Sequence, residues 1–185
     1  NLKKNTSMSD FSDYANSVPN LNAVSGTSKG RYFRIRGIGE MSQFSGEGPP
    51  VFSVGYYLDD MDLSGIGTIG NNFDINHIEI VKGSNNITYG HNALAGTINI
   101  YSINPSHNNE GIVKISRSDD NGYEQGFAYS FPISNTILSR ISLYKNYSDG
   151  YRKNISRNIN NSNKINESLI RTKLLWLPSD YFNSK

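Results

Sequence analysis

Four segments in the second half of the chain alternate apolar and polar residues, and this period of two constrains the fold more than any other feature. The segments are residues 111–117, 127–133, 137–147 and 169–177, of which the first is the weakest. In residues 127–133, aromatic side chains recur at every second position, at Phe127, Tyr129 and Phe131, while the small side chains of Ala128 and Ser130 lie between them. Because successive side chains of a strand point to opposite faces, each segment predicts a strand with one apolar face.

The connections between these predicted strands alternate between short and long. Residues 131–136 and 177–181 read as tight turns that contain proline, whereas residues 147–167 form a long polar loop rich in Asn and Lys. Outer-membrane barrels have this asymmetry, with short periplasmic turns, long outer loops and aromatic girdles. The aromatic residues near the short turns are Phe131, Trp176, Tyr181 and Phe182. A soluble β-sandwich with unequal hairpins explains the same pattern, so the strands alone leave both folds open.

Composition narrows the classes of protein without choosing between those two folds. No apolar run approaches the roughly 18 residues of a membrane helix, and no signal peptide opens the chain. A membrane barrel also averages out as polar, because only alternate residues face lipid. The absence of cysteine excludes disulfide scaffolds and thiolate metal sites. The net charge of +2, with scattered Lys and Arg, gives no basic patch for nucleic acid.

The first half of the chain has shorter, mixed segments. Residues 10–18 predict a helix that Ser9 or Asp10 caps and Pro19 ends. Four strands are predicted at residues 32–36, 52–58, 78–82 and 97–102, separated by loops rich in Gly and Pro. Gly83 follows the third strand where the chain must turn, and glycine permits a positive φ there. These elements predict a compact α+β unit.

Three other patterns in the sequence do not predict a site. The glycines at 65, 67 and 70 match G-x-G-x-x-G, but the strand–turn–helix context of a dinucleotide site is missing. Asp59, Asp60 and Asp62 lack the spacing of a calcium loop and are interpreted as solvated acids of a turn. His77, His91 and His107 have no ligand spacing. With no catalytic constellation in sight, the sequence predicts neither an enzyme nor a cofactor.

Five motifs occur in a fixed order in the first half. They are I-R-G at 35–37, Y-L-D at 57–59, I-E-I-V-K-G at 78–83, Y-G at 89–90 and A-L-A-G-T-I-N-I at 93–100. This order and spacing resemble the plug domain of TonB-dependent outer-membrane receptors. Two departures are mild: Ser84 stands where the family usually has proline, and Ala95 stands where a glycine is commoner.

The resemblance implies an α+β plug domain with a small mixed sheet, followed by the first antiparallel strands of a transmembrane β-barrel. We expect the plug at residues 1–105 and about four barrel strands at residues 106–185, so that the chain is an internal fragment. It implies active transport across the bacterial outer membrane, with the TonB complex, outer-membrane lipid and a scarce chelate as partners. Ferric siderophores, haem and cobalamin are such chelates, and some relatives take up glycans. A secreted β-rich binding module is the alternative, which would not need detergent.

The resemblance also assigns roles to particular residues. Arg36 and Lys82 are expected to pair with carboxylates on the inner barrel wall. The residues that form the plug's structural motif are Gly37, Glu79, Gly83, Tyr89, Gly90 and Gly96. Two long loops, residues 38–50 and 62–73, are expected to reach the outer vestibule and face the ligand through Gln43, Phe44, Glu47, Asn71, Asn72 and Phe73. Neither loop contains Arg, so they suit a neutral or cationic chelate, and no metal ligand is predicted.

Overall fold

The computed structural model describes residues 15, 18–24, 32–39, 52–65, 72–84, 92–158 and 160–178. The chain forms two compact units, Asn1–Ser102 and Ile103–Lys185. Among the residues described, no helix is both long enough and apolar enough to cross a membrane. The predicted helix at residues 10–18 lies almost entirely outside the described residues, although Ala15 is helical and fully buried.

The first unit contains two sheets. Strands β1 (Leu21–Val24) and β2 (Tyr32–Ile35) form an antiparallel pair. The other sheet has the order β4-β3-β6-β5, built from β3 (Val54–Leu58), β4 (Met61–Asp62), β5 (Ile75–Lys82) and β6 (Gly96–Ser102). Since β3 and β6 run parallel while β5 and β6 run antiparallel, the sheet is mixed, as expected.

The core of this unit lies against the central strands β3 and β6. Its main side chains are Phe33, Ile35, Val54, Tyr56, Ile98 and Ile100. The rings of Phe33 and Tyr56 stack with centroids 5.3 Å apart, which joins β2 to β3. Strand β6 is buried on both faces, and its β-branched residues suit such a position.

The second unit is an antiparallel meander in the order β10-β9-β8-β7. Its strands are β7 (Glu110–Ser118), β8 (Gly122–Ser134), β9 (Ile137–Ser148) and β10 (Ile165–Trp176). The turn between β8 and β9 has only two residues. The Ser134 hydroxyl accepts the Ile137 amide there at 3.1 Å. At the other end, the connection between β9 and β10 spans residues 149–164.

The eight predicted strands are present, with shifted ends. Strand β10 begins at Ile165 rather than at residue 169, because the polar residues at its start continue the pairing with β9 as far as Ser148. Strand β5 begins at Ile75 rather than at residue 78. Strands β1 and β4 were not predicted, since segments of four and two residues carry too little periodic signal to be distinguished from loops.

Candidate functional site

Arg36 and Gly37 form the two central residues of a tight turn that closes β2. Their φ angles are 53° and 84°, and the Ile35 and Ile38 backbones exchange hydrogen bonds of 2.9 and 3.0 Å. Positive φ at both central residues is the mark of a type I′ turn, in which glycine is favoured at the second position. The turn therefore presents Arg36 at an exposed corner, where it makes no ion pair with the described residues.

Lys82 meets the same short segment of chain as Arg36. The Lys82 ammonium donates a 2.8 Å hydrogen bond to the Pro19 carbonyl. The Arg36 amide donates a 2.9 Å bond to the carbonyl of the next residue, Asn20. The structure thus brings the two predicted basic residues together on one turn, which the sequence did not indicate. Since an ammonium has three donors, Lys82 keeps capacity for a carboxylate partner, and the predicted pairing with the barrel wall stays a prediction.

The junction of β5 and β6 explains two of the predicted glycines. Gly83 ends β5 with φ 131°, and its amide donates to the Ala95 carbonyl at 3.0 Å. Gly96 starts β6 with φ 148°, and a Cβ there would lie 2.2 Å from the Val81 carbonyl oxygen. Gly83 is thus required for its conformation, and Gly96 for both its conformation and its close packing.

The other members of the predicted motif are less constrained by what the structure shows. Glu79 lies opposite Asn99 in the sheet and is exposed. Tyr89 and Gly90 lie outside the described residues, so their role stays a prediction.

A network of side chains fixes the base of the second predicted ligand loop. The Asn92 amide donates to Asp62 Oδ2 at 3.0 Å, and its own oxygen accepts the Phe52 amide at 3.2 Å. Asp62 Oδ1 accepts the Ser64 amide at 2.9 Å, while the Ser64 hydroxyl accepts the Tyr56 amide at 3.0 Å. The start of this loop is thereby tied to β3 and to the chain just before β6.

Asp59 and Asp62 are not merely solvated, which corrects the interpretation from sequence for these two, while Asp60 is exposed as expected. Asp59 and Asp60 form the turn between β3 and β4, with φ of 47° and 66°. The Asp59 carboxylate accepts the Ser102 amide at 2.9 Å and its hydroxyl at 2.5 Å. Asp59 therefore fastens the turn to the end of β6. No local pattern predicts this pair, because its members are 43 residues apart.

The predicted ligand-facing residues are only partly within the described residues. Gln43, Phe44, Glu47 and Asn71 lie outside them. Asn72 and Phe73 are described, and each exposes 7% of its surface. In this conformation neither side chain offers a face to a ligand, so a direct contact would require residues 72–73 to move.

The sheet of the second unit has two chemically different faces. On one face, large apolar side chains are exposed in register across the four strands, for example Val113, Phe127, Leu143 and Ile170. On the other face the side chains pair with one another: Arg140 Nη1 donates to the Ser130 hydroxyl at 2.7 Å, and Lys114 contacts Glu124 at 2.5 Å. Apolar side chains outside and paired polar side chains inside are the arrangement of a barrel wall in lipid.

Comparison with known proteins agrees with this description of the two units. The family model described as the TonB-dependent Receptor Plug Domain matches residues 1–97. The ferric yersiniabactin uptake receptor FyuA from Yersinia pestis superposes with a TM-score of 0.80 at 23% identity, covering 94% of this chain and 27% of that one.

Two further receptors have the same fold. The pyoverdine outer membrane receptor FpvA from Pseudomonas aeruginosa PAO1 gives a TM-score of 0.71 at 14% identity, covering 93% of this chain and 23% of that one. The siderophore receptor PirA from Acinetobacter baumannii gives 0.68 at 19% identity, covering 97% and 28%. The chain thus spans about a quarter of the length of these receptors, and at such identities the likeness establishes the fold.

Proposed function

Because the chain belongs to the plug-domain family of TonB-dependent receptors, we propose that it forms the plug and first barrel strands of a receptor that imports a scarce chelate with energy delivered through TonB. Proteins of this family are located in the outer membrane of Gram-negative bacteria. We assign residues 1–105 to the plug and residues 106–185 to the start of the barrel. The observation that carries the proposal is the match over residues 1–97, followed directly by a meander with an exposed apolar face.

The substrate we propose is a ferric siderophore or a chelate of similar kind, such as haem or cobalamin. The structures of similar fold are receptors for ferric yersiniabactin and pyoverdine, which supports this class over glycans. The proposed contacts are the two loops, residues 38–50 and 62–73. The Asp62–Asn92 hydrogen bond would hold the start of the second loop while its tip responds to ligand.

Arg36 and Lys82 are proposed to hold the plug to the barrel wall. Both lie at strand ends and both contact the Pro19–Asn20 turn, so movement of that turn would reach both residues together. Ion pairs in a hydrated setting contribute only about 0–1 kcal/mol each. Interactions of that size suit a plug that must be held at rest and released during transport.

The substrate class is tested with the full-length receptor expressed in cells that lack their own iron receptors. Uptake of radioactive iron is measured with catecholate, hydroxamate and phenolate siderophores, and haem and cyanocobalamin are tested beside them. We expect saturable uptake of at least one of these compounds. Absence of binding and of uptake for all of them, with the receptor present and folded in the membrane, would contradict the chelate proposal.

The contribution of the loops is tested by replacing Phe44 and Phe73 with alanine together. We expect weaker ligand binding, because an aromatic contact contributes about 0.5–1.5 kcal/mol beyond its buried area. A single Phe73→Ala variant serves as the control for packing, since Phe73 is buried here. Wild-type affinity in the double variant would remove both rings from the ligand site.

A further inference from the structure

Cationic side chains lie on the apolar face of the second unit, in the rows next to its exposed apolar side chains. The register places Val113, Phe127, Leu143 and Ile170 in one row across the sheet. The next row on the same face is Ile115, Gln125, Lys145 and Ser168, and the row after it is Arg117, Tyr123, Tyr147 and Asn166. Rows on one face are about 7 Å apart, twice the rise per residue of a strand. Two cations therefore lie within about 14 Å of the apolar row.

The acidic residues at the same position along the strands lie on the opposite face of the sheet. The row between the two polar rows points the other way and consists of Ser116, Glu124, Asn146 and Glu167. The two polar rows on the apolar side contain no carboxylate. These two rows therefore carry cations without acids, whereas the opposite face carries both charges, as in the Lys114–Glu124 contact. A face that carries cations without acids is suited to an anion.

A third cation extends this face at the start of β10. The Lys164 ammonium lies 4.9 Å from the centre of the Tyr147 ring, which in turn stacks on Tyr123 with centroids 5.3 Å apart. Its hydrogen bond and charge interaction with Tyr147 raise the pKa of Lys164, so the side chain is charged at neutral pH. The Lys145 ammonium donates hydrogen bonds to Asn166 Oδ1 at 2.6 Å and to the Ser168 hydroxyl at 3.0 Å. Arg117 is exposed.

One acid, Asp149, lies close enough to this group to attract Lys164. Asp149 accepts the Tyr147 hydroxyl at 2.7 Å and the Asn121 amide at 3.0 Å, and these bonds hold the pKa of its carboxyl below the usual value. Asp119 and Asp120 belong to the turn between β7 and β8, beyond the last row. Among the described residues, Arg117 and Lys145 have no carboxylate partner. Asp149 attracts Lys164, and one acid beside three cations leaves the group with a net positive charge.

We propose that Arg117, Lys145 and Lys164 bind the phosphate groups of a lipid in the outer leaflet of the membrane. The end of the sheet fits this leaflet, because the long connection of residues 149–164 lies there and long barrel loops face outward. The apolar rows would contact the acyl chains of the same lipid, and the tyrosine pair would lie at the headgroup level, as aromatic residues of membrane proteins do. A dissolved anion would not contact the apolar rows, whereas a lipid would contact both the cations and these rows. This favours a lipid over a free phosphate as the ligand.

The test uses the full-length receptor in nanodiscs of neutral phospholipid, doped with a bis-phosphorylated glycolipid or with the same glycolipid after phosphatase treatment. Lipid retention is measured by native mass spectrometry. A variant in which Arg117, Lys145 and Lys164 are all replaced by glutamine is compared with a control variant. In the control, Arg152, Lys153 and Arg157 are replaced by glutamine instead. The control removes the same charge from the loop of residues 149–164 without touching the proposed face. A change in the electrophoretic mobility of each variant on heating verifies that both variants are folded.

We expect wild type and the loop control to retain the phosphorylated lipid, and the face variant to bind it about a hundredfold more weakly, given the attraction of each cation for an anionic surface. The phosphatase-treated lipid should not distinguish the three proteins. Equal loss in the loop control would show general charge attraction and overturn the site, as would equal retention of both lipids by wild type. Full displacement by millimolar inorganic phosphate would identify a free-anion site and overturn the lipid assignment.

Discussion

Replacing Gly96 with alanine is expected to loosen the plug sheet more than the same change at Gly83, although both glycines have positive φ. The conformational cost is shared, because φ values of 148° and 131° are both in a region that only glycine occupies freely. Such strain costs about 1–3 kcal/mol per residue. The surroundings differ: the new Cβ at Gly96 would lie 2.2 Å from the Val81 carbonyl oxygen and 2.8 Å from Ile35 Cδ1, whereas nothing lies within 4 Å at Gly83.

The clash at Gly96 adds an overpacking cost of about 1–3 kcal/mol to the shared strain. Hydrogen exchange of the β5 and β6 amides in the full-length receptor measures this difference, since local opening sets the exchange rate. Exchange in the Gly96→Ala variant should exceed that in Gly83→Ala by about 5- to 150-fold, at 1.4 kcal/mol for each factor of ten. Equal exchange rates in the two variants would refute the close-packing argument for Gly96.

Three further predictions concern the contacts that hold the plug and the barrel strands. Asn92→Ala should destabilise the base of the second loop by about 1–3 kcal/mol, because it removes the bond to Asp62 Oδ2 and the bond that the buried Phe52 amide makes; limited proteolysis within residues 62–73 should quicken, and an unchanged cleavage rate would oppose this. Replacing Arg36 and Lys82 with alanine together should increase leak of small solutes through the receptor or speed hydrogen exchange in the plug, and a double variant identical to wild type in both assays would remove the proposed lock. The isolated 185-residue chain should not insert stably in bilayers, because the outer edges of β7 and β10 have no strand partner within the described part of the chain and each unsatisfied backbone group in lipid costs several kcal/mol; a protease-resistant, heat-modifiable membrane form of this chain alone would contradict that.

The strands of the second unit were predictable because one local rule governs them. Phe127, Tyr129 and Ile170 fall on the apolar face simply because side chains alternate. The ends were less predictable, since Ser148 and Ile165 extend the strands by backbone pairing, to which their side chains contribute little. Periodicity therefore locates a strand but does not set its length.

The first unit was predictable where a backbone conformation demands a residue type. Gly83 and Gly96 have positive φ, and the sequence placed glycine at the turn and at the start of the returning strand. Contacts between distant residues were not predictable in this way. The bond between Lys82 and Pro19 joins residues 63 positions apart, and neither residue type selects the other. The same holds for Asp59 with Ser102, whose pairing depends on how β3 and β6 are aligned.

Energised transport through TonB is tested by comparing ligand uptake with ligand binding in the presence and in the absence of TonB. Cells that express the full-length receptor would be given a radiolabelled chelate that binds it, with the tonB function intact or deleted. We expect the same ligand binding at the cell surface in both strains, and accumulation inside the cell only where TonB is present. Equal accumulation in the two strains would show that transport does not depend on TonB.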